Sequence, residues 1–242
     1  MLTIKNEIKP VRIMFAGASG TGKTTLAKYI SEDLAKELGI EIPFVSGSVS
    51  DLLPQTRNMP HKDMLARSSE ELAKEDFQIL NLRNKLFSEY AINNKSFVSD
   101  RSFLDSAAYF IYKQADKLPQ CEIEHFLELC LMCLVKECTH LIFIPFDKDM
   151  FKYWVTEDNN KRILSKFFQM EISSIMDMVL DIWDLHRTNY NSITRSIFNN
   201  FNLDNGFTSG TLETPYGKTR VITVHEINLE VRQRILKYVL EK

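Results

Sequence analysis

Nine residues near the front of the chain carry the types and spacing of a polyphosphate cradle: Gly17, Ala18, Ser19, Gly20, Thr21, Gly22, Lys23, Thr24 and Thr25. Gly17, Gly22, Lys23 and Thr24 fall in the phosphate-loop spacing G-x4-G-K-[ST]. Gly17, Gly20 and Gly22 let the backbone come close to a phosphate and turn its N–H groups inward. Lys23 is placed to reach the β- and γ-phosphates, and the Thr24 hydroxyl to hold Mg²⁺. The expected ligand is a nucleoside triphosphate with Mg²⁺. Eight glycines occur in the 242 residues, and three of them stand here in register.

Such a loop works only between a strand and a helix. The apolar run from Val11 to Ala16 predicts the strand. Lys23 to Leu38 predicts the helix, with Gly39 as its stop. Further along, Ile42 to Ser46 reads as a second strand, Glu70 to Ala91 as a helix, and Ser96 to Ser99 as a short buried strand. Asp105 to Lys117 and Ile123 to Lys136 read as helices, followed by a strand from His140 to Pro145. Ile163 to His186 has a long helical pattern, Val221 to Val224 reads as a late strand, and Glu230 to Leu240 as a closing helix. Alternating strands and helices predict one α/β domain over residues 1–242, with a central parallel sheet between two helical layers. The weakly patterned stretch 187–218, rich in Asn, Thr, Ser and Gly, is expected to be a small insertion or an added hairpin. In the second case the hairpin runs from Thr208 to Val224 and turns at Pro215-Tyr-Gly.

The acidic positions separate the classes that use a phosphate loop. No Asp has Gly three positions later, so a GTPase switch is not expected, and the N-K-x-D guanine reader is missing. No Asp-Glu pair ends a strand, which sets the chain apart from motors and AAA-type ATPases. The strand at Phe97 to Ser99 runs instead into Asp100-Arg101-Ser102. At a strand end facing the ligand crevice, Asp100 can take a proton from an acceptor hydroxyl or bind Mg²⁺ through water. Arg101 can clamp phosphate oxygens as charge shifts during transfer. The competing reading of Asp100 is an N-cap for the next helix, which its place after a buried strand and beside an arginine makes the weaker of the two.

Ser99-Asp100-Arg101-Ser102-Phe103-Leu104-Asp105-Ser106-Ala107-Ala108-Tyr109, together with Gly17 to Leu26, resembles the kinase group that includes the nicotinamide riboside kinase domain of bacterial NAD regulators. It is also similar to thymidylate and deoxynucleoside kinases. That resemblance implies a P-loop NTPase three-layer sandwich with a helical lid, placed here at about 147–165. It implies lid cations on the phosphates, for which Arg162 is first choice and Lys161 second. Both are equally at home as solvated charges at a helix start. On the acceptor side, Ser46 to Asp51, Arg57, Arg67, Phe77 and Gln78 occupy positions that related kinases use, although each residue type is also common in cores and on surfaces. The implied activity is ATP-dependent phosphorylation of a nucleoside, nucleotide or related ribosyl compound. In that scheme Lys23, Asp100, Arg101 and Arg162 are the catalytic set, and Thr24 and Asp100 hold the metal.

Composition narrows the alternatives. Hydrophobic residues make up 44% and charged residues 26%, with a formal net charge of −2, so no broad basic field invites nucleic acid. No stretch is long and apolar enough for a membrane span, and the first residues lack a signal-peptide layout, so a cytoplasmic protein is expected. The oligomeric state is not legible. Cys121, Cys130, Cys133 and Cys138 include a C-x2-C pair, but Ile123, Phe126, Leu127, Cys130, Leu131, Leu134 and Val135 make an apolar helical stripe with no Gly or Pro to form a zinc knuckle. Two other functions stay open on sequence alone. One is a kinase acting on a polynucleotide end or a modified base in DNA, with Tyr190, Arg195, Phe198, Phe201 and Phe207 as stacking candidates. The other is a non-catalytic ATP-binding regulatory module.

Overall fold

The computed structural model describes residues 9–54, 67–146, 166–188, 207–225 and 227–241. Its centre is β1 (Arg12–Ala16), whose alternate side chains are buried on both faces of the sheet. Met14 and Ala16 join one apolar cluster, while Ile13 and Phe15 join the other. An uninterrupted apolar strand is what a sheet covered on both faces requires.

Helix α1 (Lys23–Leu38) follows β1 and packs Leu26, Ala27, Ile30 and Leu34 beneath it. It stops at Gly39, which adopts φ 64°. Strand β2 (Phe44–Val45) is shorter than the sequence suggests. It leads through Gly47 to a single helical turn, α2 (Val49–Leu52). Helix α3 (Ser69–Ile92) opens on a capping box in which Ser68 and Glu71 exchange bonds, an arrangement contributing about 1 kcal/mol. Strand β3 (Phe97–Ser99) then enters the sheet, followed by α4 (Phe103–Gln114), α5 (Gln120–Glu137) and β4 (His140–Phe143). After α6 (Lys166–Thr188) come β5 (Phe207–Thr214), β6 (Gly217–Val224) and the closing α7 (Leu229–Leu240).

The six strands lie in the order β2-β3-β1-β4-β6-β5. All neighbours are parallel except the β5–β6 pair. Helices α3 to α6 cover one face around Phe87, Phe103, Phe126 and Trp183. Helices α1 and α7 cover the other. The three-layer α/β sandwich is therefore as expected, with one correction at its edge. Residues 207–218 are not an insertion outside the sheet but take the other expected form, the hairpin with β6. They form its antiparallel border strand and the turn at Pro215-Tyr216, with Thr214 paired to Gly217. Leu212, fully buried, anchors that strand in the core. The sheet is consequently mixed, not wholly parallel.

Cys130 and Cys138 are buried, and burial pushes the Cys138 thiol up to about 12, so it behaves as an inert apolar group. The expected stripe from Ile123 to Val135 is buried, with Cys130 in it, while Cys121 is exposed. No described helix is long and apolar enough to cross a membrane.

Candidate active site

The sheet order brings the two chemical segments together. β1 lies beside β3, with Met14 opposite Ser99, so the loop after β1 and the turn after β3 leave the same edge of the sheet side by side. Strand ends at such a position form the ligand crevice of open α/β folds.

The loop shape is enforced by glycine at two points. A Cβ on Gly17 would lie 2.4 Å from the Ile144 carbonyl oxygen, because the loop passes directly against the end of β4. Gly22, at φ 83°, is the N-cap of α1 and supplies no capping side chain. No side chain caps the start of α1, where the helix dipole favours negative charge. Thr21 steadies the turn by donating its hydroxyl to the Ala18 carbonyl at 3.0 Å. Lys23 is buried, and its Nζ donates to the carbonyls of Gly17 at 2.6 Å and Ala18 at 2.7 Å. The ammonium therefore lies across its own loop. Ala18 is buried, Ser19 and Gly20 are half-buried, and Thr24 and Thr25 are exposed.

The contact that joins the two segments is a hydrogen bond of 2.7 Å from the Thr24 hydroxyl to Asp100 Oδ2. Asp100 is only 6% exposed. Its other oxygen, Oδ1, is buried and has no hydrogen-bond partner among the described residues. An ionised oxygen left so is costly unless a ligand completes it. Asp100 is not the cap of α4. Ser102 holds that place, its hydroxyl accepting from the Asp105 amide while the Asp105 carboxylate accepts from Ser102. Arg101 is half-buried and pairs with Asp105 Oδ1 at 3.2 Å, and its amide donates to Ser99 Oγ.

A hydroxyl and a carboxylate oxygen in contact, with a further carboxylate oxygen open, make an all-oxygen donor set. That chemistry suits Mg²⁺, which takes one or two protein oxygens and completes its shell with water and phosphate. Among the described residues no cluster of three or more His, Cys, Asp or Glu offers an alternative metal site.

Other expected residues fall elsewhere. Phe77 packs its ring edge-on against Phe126 at 4.9 Å and belongs to the aromatic core, so it is not free to stack on a base. Gln78 is exposed, and Arg67 is held by Glu75 at 2.6 Å. Ser46 and Ser48 both donate to Asp51 Oδ2. Arg57, Lys161, Arg162, the 147–165 lid, Tyr190, Arg195, Phe198 and Phe201 lie outside the described residues, as does the Phe207 side chain. The sequence alone gives two participants no role of their own: Asp105, which enters only as part of the Ser99 to Tyr109 run, and the buried Arg83. The Ser102-x-x-Asp105 spacing was a legible capping signal for the first. An arginine among the apolar positions of α3 was the only signal for the second.

A mostly parallel sheet with this loop on its central strand defines a P-loop α/β domain. The chain belongs to the AAA domain family, whose model matches residues 12–195. That membership overturns the separation from AAA-type proteins drawn from the missing Asp-Glu pair, although β3 still ends in Asp100-Arg101 and not in two acids. Among solved structures, the fold is similar to deoxyadenosine kinase from M. mycoides with bound dATP, at 13% identity and a TM-score of 0.53, covering 96% of this chain and 100% of that chain. It is likewise similar to thymidylate kinase from Ehrlichia chaffeensis, at 16% identity and a TM-score of 0.51, covering 97% of this chain and 100% of that chain. No curated protein matches the sequence. The chain has the fold of P-loop nucleoside and nucleotide kinases.

Proposed function

We propose that this chain is an ATP- and Mg²⁺-dependent phosphotransferase. It passes a γ-phosphoryl group to the hydroxyl or phosphate of a nucleoside, nucleotide or related ribosyl compound. The observation that carries this reading is the Thr24–Asp100 bond, with the second Asp100 oxygen buried and open beside the phosphate loop. In this reading the amides of Gly17 to Thr25 and the Lys23 ammonium bind the triphosphate. Lys23 exchanges its two loop carbonyls for phosphate oxygens. Asp100 orients and deprotonates the acceptor hydroxyl, and Arg101 faces the charge that develops on the moving group. Thr24 and Asp100 would hold Mg²⁺, which when bound neutralises phosphate charge. Arg162 is proposed as the lid cation that helps exclude water. The Ser99 to Tyr109 run supports placing the chain in the nicotinamide riboside kinase-like branch. The absence of a described membrane helix and the modest net charge support a cytoplasmic protein acting on a small molecule.

The test is transfer of labelled γ-phosphate from ATP onto nucleosides, nucleoside monophosphates, nicotinamide riboside and duplex DNA. Transfer to one of the small acceptors, lost in Lys23→Ala and Asp100→Asn, is expected. ATP binding with no acceptor phosphorylated would overturn the assignment in favour of a regulatory module, and transfer confined to DNA would move it to a polynucleotide kinase.

A further inference from the structure

Arg83 sits where α3 should be apolar. It is 2% exposed, and burial pulls its guanidinium down to about 10, with Asp105 opposing the shift. Its Nη2 donates to the Gly47 carbonyl at 2.8 Å. Its Nη1 donates to the Ser102 carbonyl at 3.2 Å and to the Ser106 hydroxyl. One planar fork thus spans the loop after β2, the residue that caps α4, and the first turn of α4.

Gly47 is itself a point of close approach. A Cβ there would meet Arg101 Cβ at 3.0 Å, Phe87 Cζ at 3.2 Å and Ser99 Oγ at 3.4 Å. The loop that carries Ser46, Ser48 and Asp51 therefore rests directly on the turn that carries Asp100 and Arg101. Stability alone does not call for a cation in this place. A buried charge is costly, and an apolar side chain of similar volume would fill the space without that cost. What a guanidinium adds is a rigid fork that fixes several acceptors relative to one another.

We propose that Arg83 is a positioning residue: it holds the 46–51 loop in register with Asp100 and Arg101, so that it sets the geometry of the acceptor and not the binding of the donor. The activity part of this inference rests on the kinase reading, whereas the joint itself does not.

The joint is read by amide hydrogen exchange on the full chain, comparing wild type with Arg83→Met. Losing hydrogen bonds from a charged donor should speed exchange roughly tenfold or more in residues 46–52 and 99–103 together. Residues 17–25 should be unchanged. Gly47→Ala pushes on the same joint with Arg83 intact and should loosen the same pair of segments. Should Arg83→Met not fold, Arg83→Lys keeps the charge, loses the fork and serves in its place. Loosening of the whole chain, or of only one of the two segments, would overturn the proposal. In the transfer assay, Arg83→Met should lower the ratio of acceptor transfer to acceptor-free ATP hydrolysis about tenfold with unchanged ATP affinity, and Arg83→Lys should recover part of it. Equal loss of transfer and hydrolysis would show a merely structural role. If the wild type phosphorylates nothing, the kinase reading fails, and the exchange result alone decides the joint.

Discussion

Replacing Thr24 with valine removes one hydroxyl and tests whether loop and β3 turn are coupled. The hydroxyl donates at 2.7 Å to a carboxylate that is 6% exposed and whose other oxygen has no partner among the described residues. A hydrogen bond to a charged group contributes about 1.5–3 kcal/mol, and leaving such a group unpaired costs a similar amount. Thr24 itself is exposed, so water can take over part of the bond and the lower end applies. Thr24→Val should cost about 1.5 kcal/mol in the ligand-free protein, or roughly 3–6 °C in Tm for a chain of this size. Thr24→Ser, which keeps the hydroxyl, should stay within about 0.5 kcal/mol of wild type. In a double-mutant cycle with Asp100→Asn the coupling should be about 1 kcal/mol. The assay is thermal and urea unfolding without nucleotide or Mg²⁺, repeated with both present. ATP at about 100 times its Kd should stabilise the wild type by about 2.7 kcal/mol, and Thr24→Val should lose most of that gain. A Thr24→Val protein as stable as wild type, with an additive cycle, would refute the coupling and with it the placement of Asp100 against the loop.

Gly17→Ala should abolish tight binding of a fluorescent ADP analogue, because the new methyl would lie 2.4 Å from the Ile144 oxygen at φ 148°; undiminished affinity would contradict the loop geometry. Lys113→Met removes the partner of the buried Asp76, whose second oxygen has no hydrogen bond among the described residues. It should destabilise by about 3–5 kcal/mol in urea unfolding, with much of that recovered by adding Asp76→Asn. Acid should also weaken the fold through His140. Burial, with Arg220 nearby, lowers His140 to about 4. Thr139 Oγ1 gives its proton to the Arg12 carbonyl, so His140 Nδ1–H is the donor between the two side chains, and Nε2 is buried with no hydrogen-bond partner among the described residues. The unfolded chain therefore binds more protons than the fold between the ordinary histidine value and about 4, and stability falls as pH falls through that window. From pH 7 to pH 5 the loss should be about 2 kcal/mol, measured as a urea midpoint, and His140→Gln should be free of it.

What the sequence disclosed and what it hid divide along a physical line. The phosphate loop is local: one stretch of chain supplies its glycines, lysine and threonine, and the flanking strand and helix follow from apolar periodicity. Asp100 was legible for nearly the same reason, since a short buried strand points its last residue at the crevice. β5 was harder to recognise because an edge strand half-exposed to solvent has little need of apolar alternation. Thr208, Ser209, Gly210 and Thr211 read as loop residues, and Leu212 alone among its neighbours signals the core. Arg83 was hidden for a deeper reason. Nothing within α3 says why a cation should stand among Leu72, Ile79, Leu80 and Phe87, because its acceptors come from Gly47, thirty-six positions earlier, and from Ser102 and Ser106, nineteen and twenty-three positions later. A buried charge whose partners are all distant makes sense only when three segments must keep one mutual geometry. The three that meet at Arg83 are the loop beyond β2, the turn bearing Asp100 and Arg101, and the start of α4, so the strongest departure from the apolar pattern lies where phosphoryl transfer would tolerate the least play.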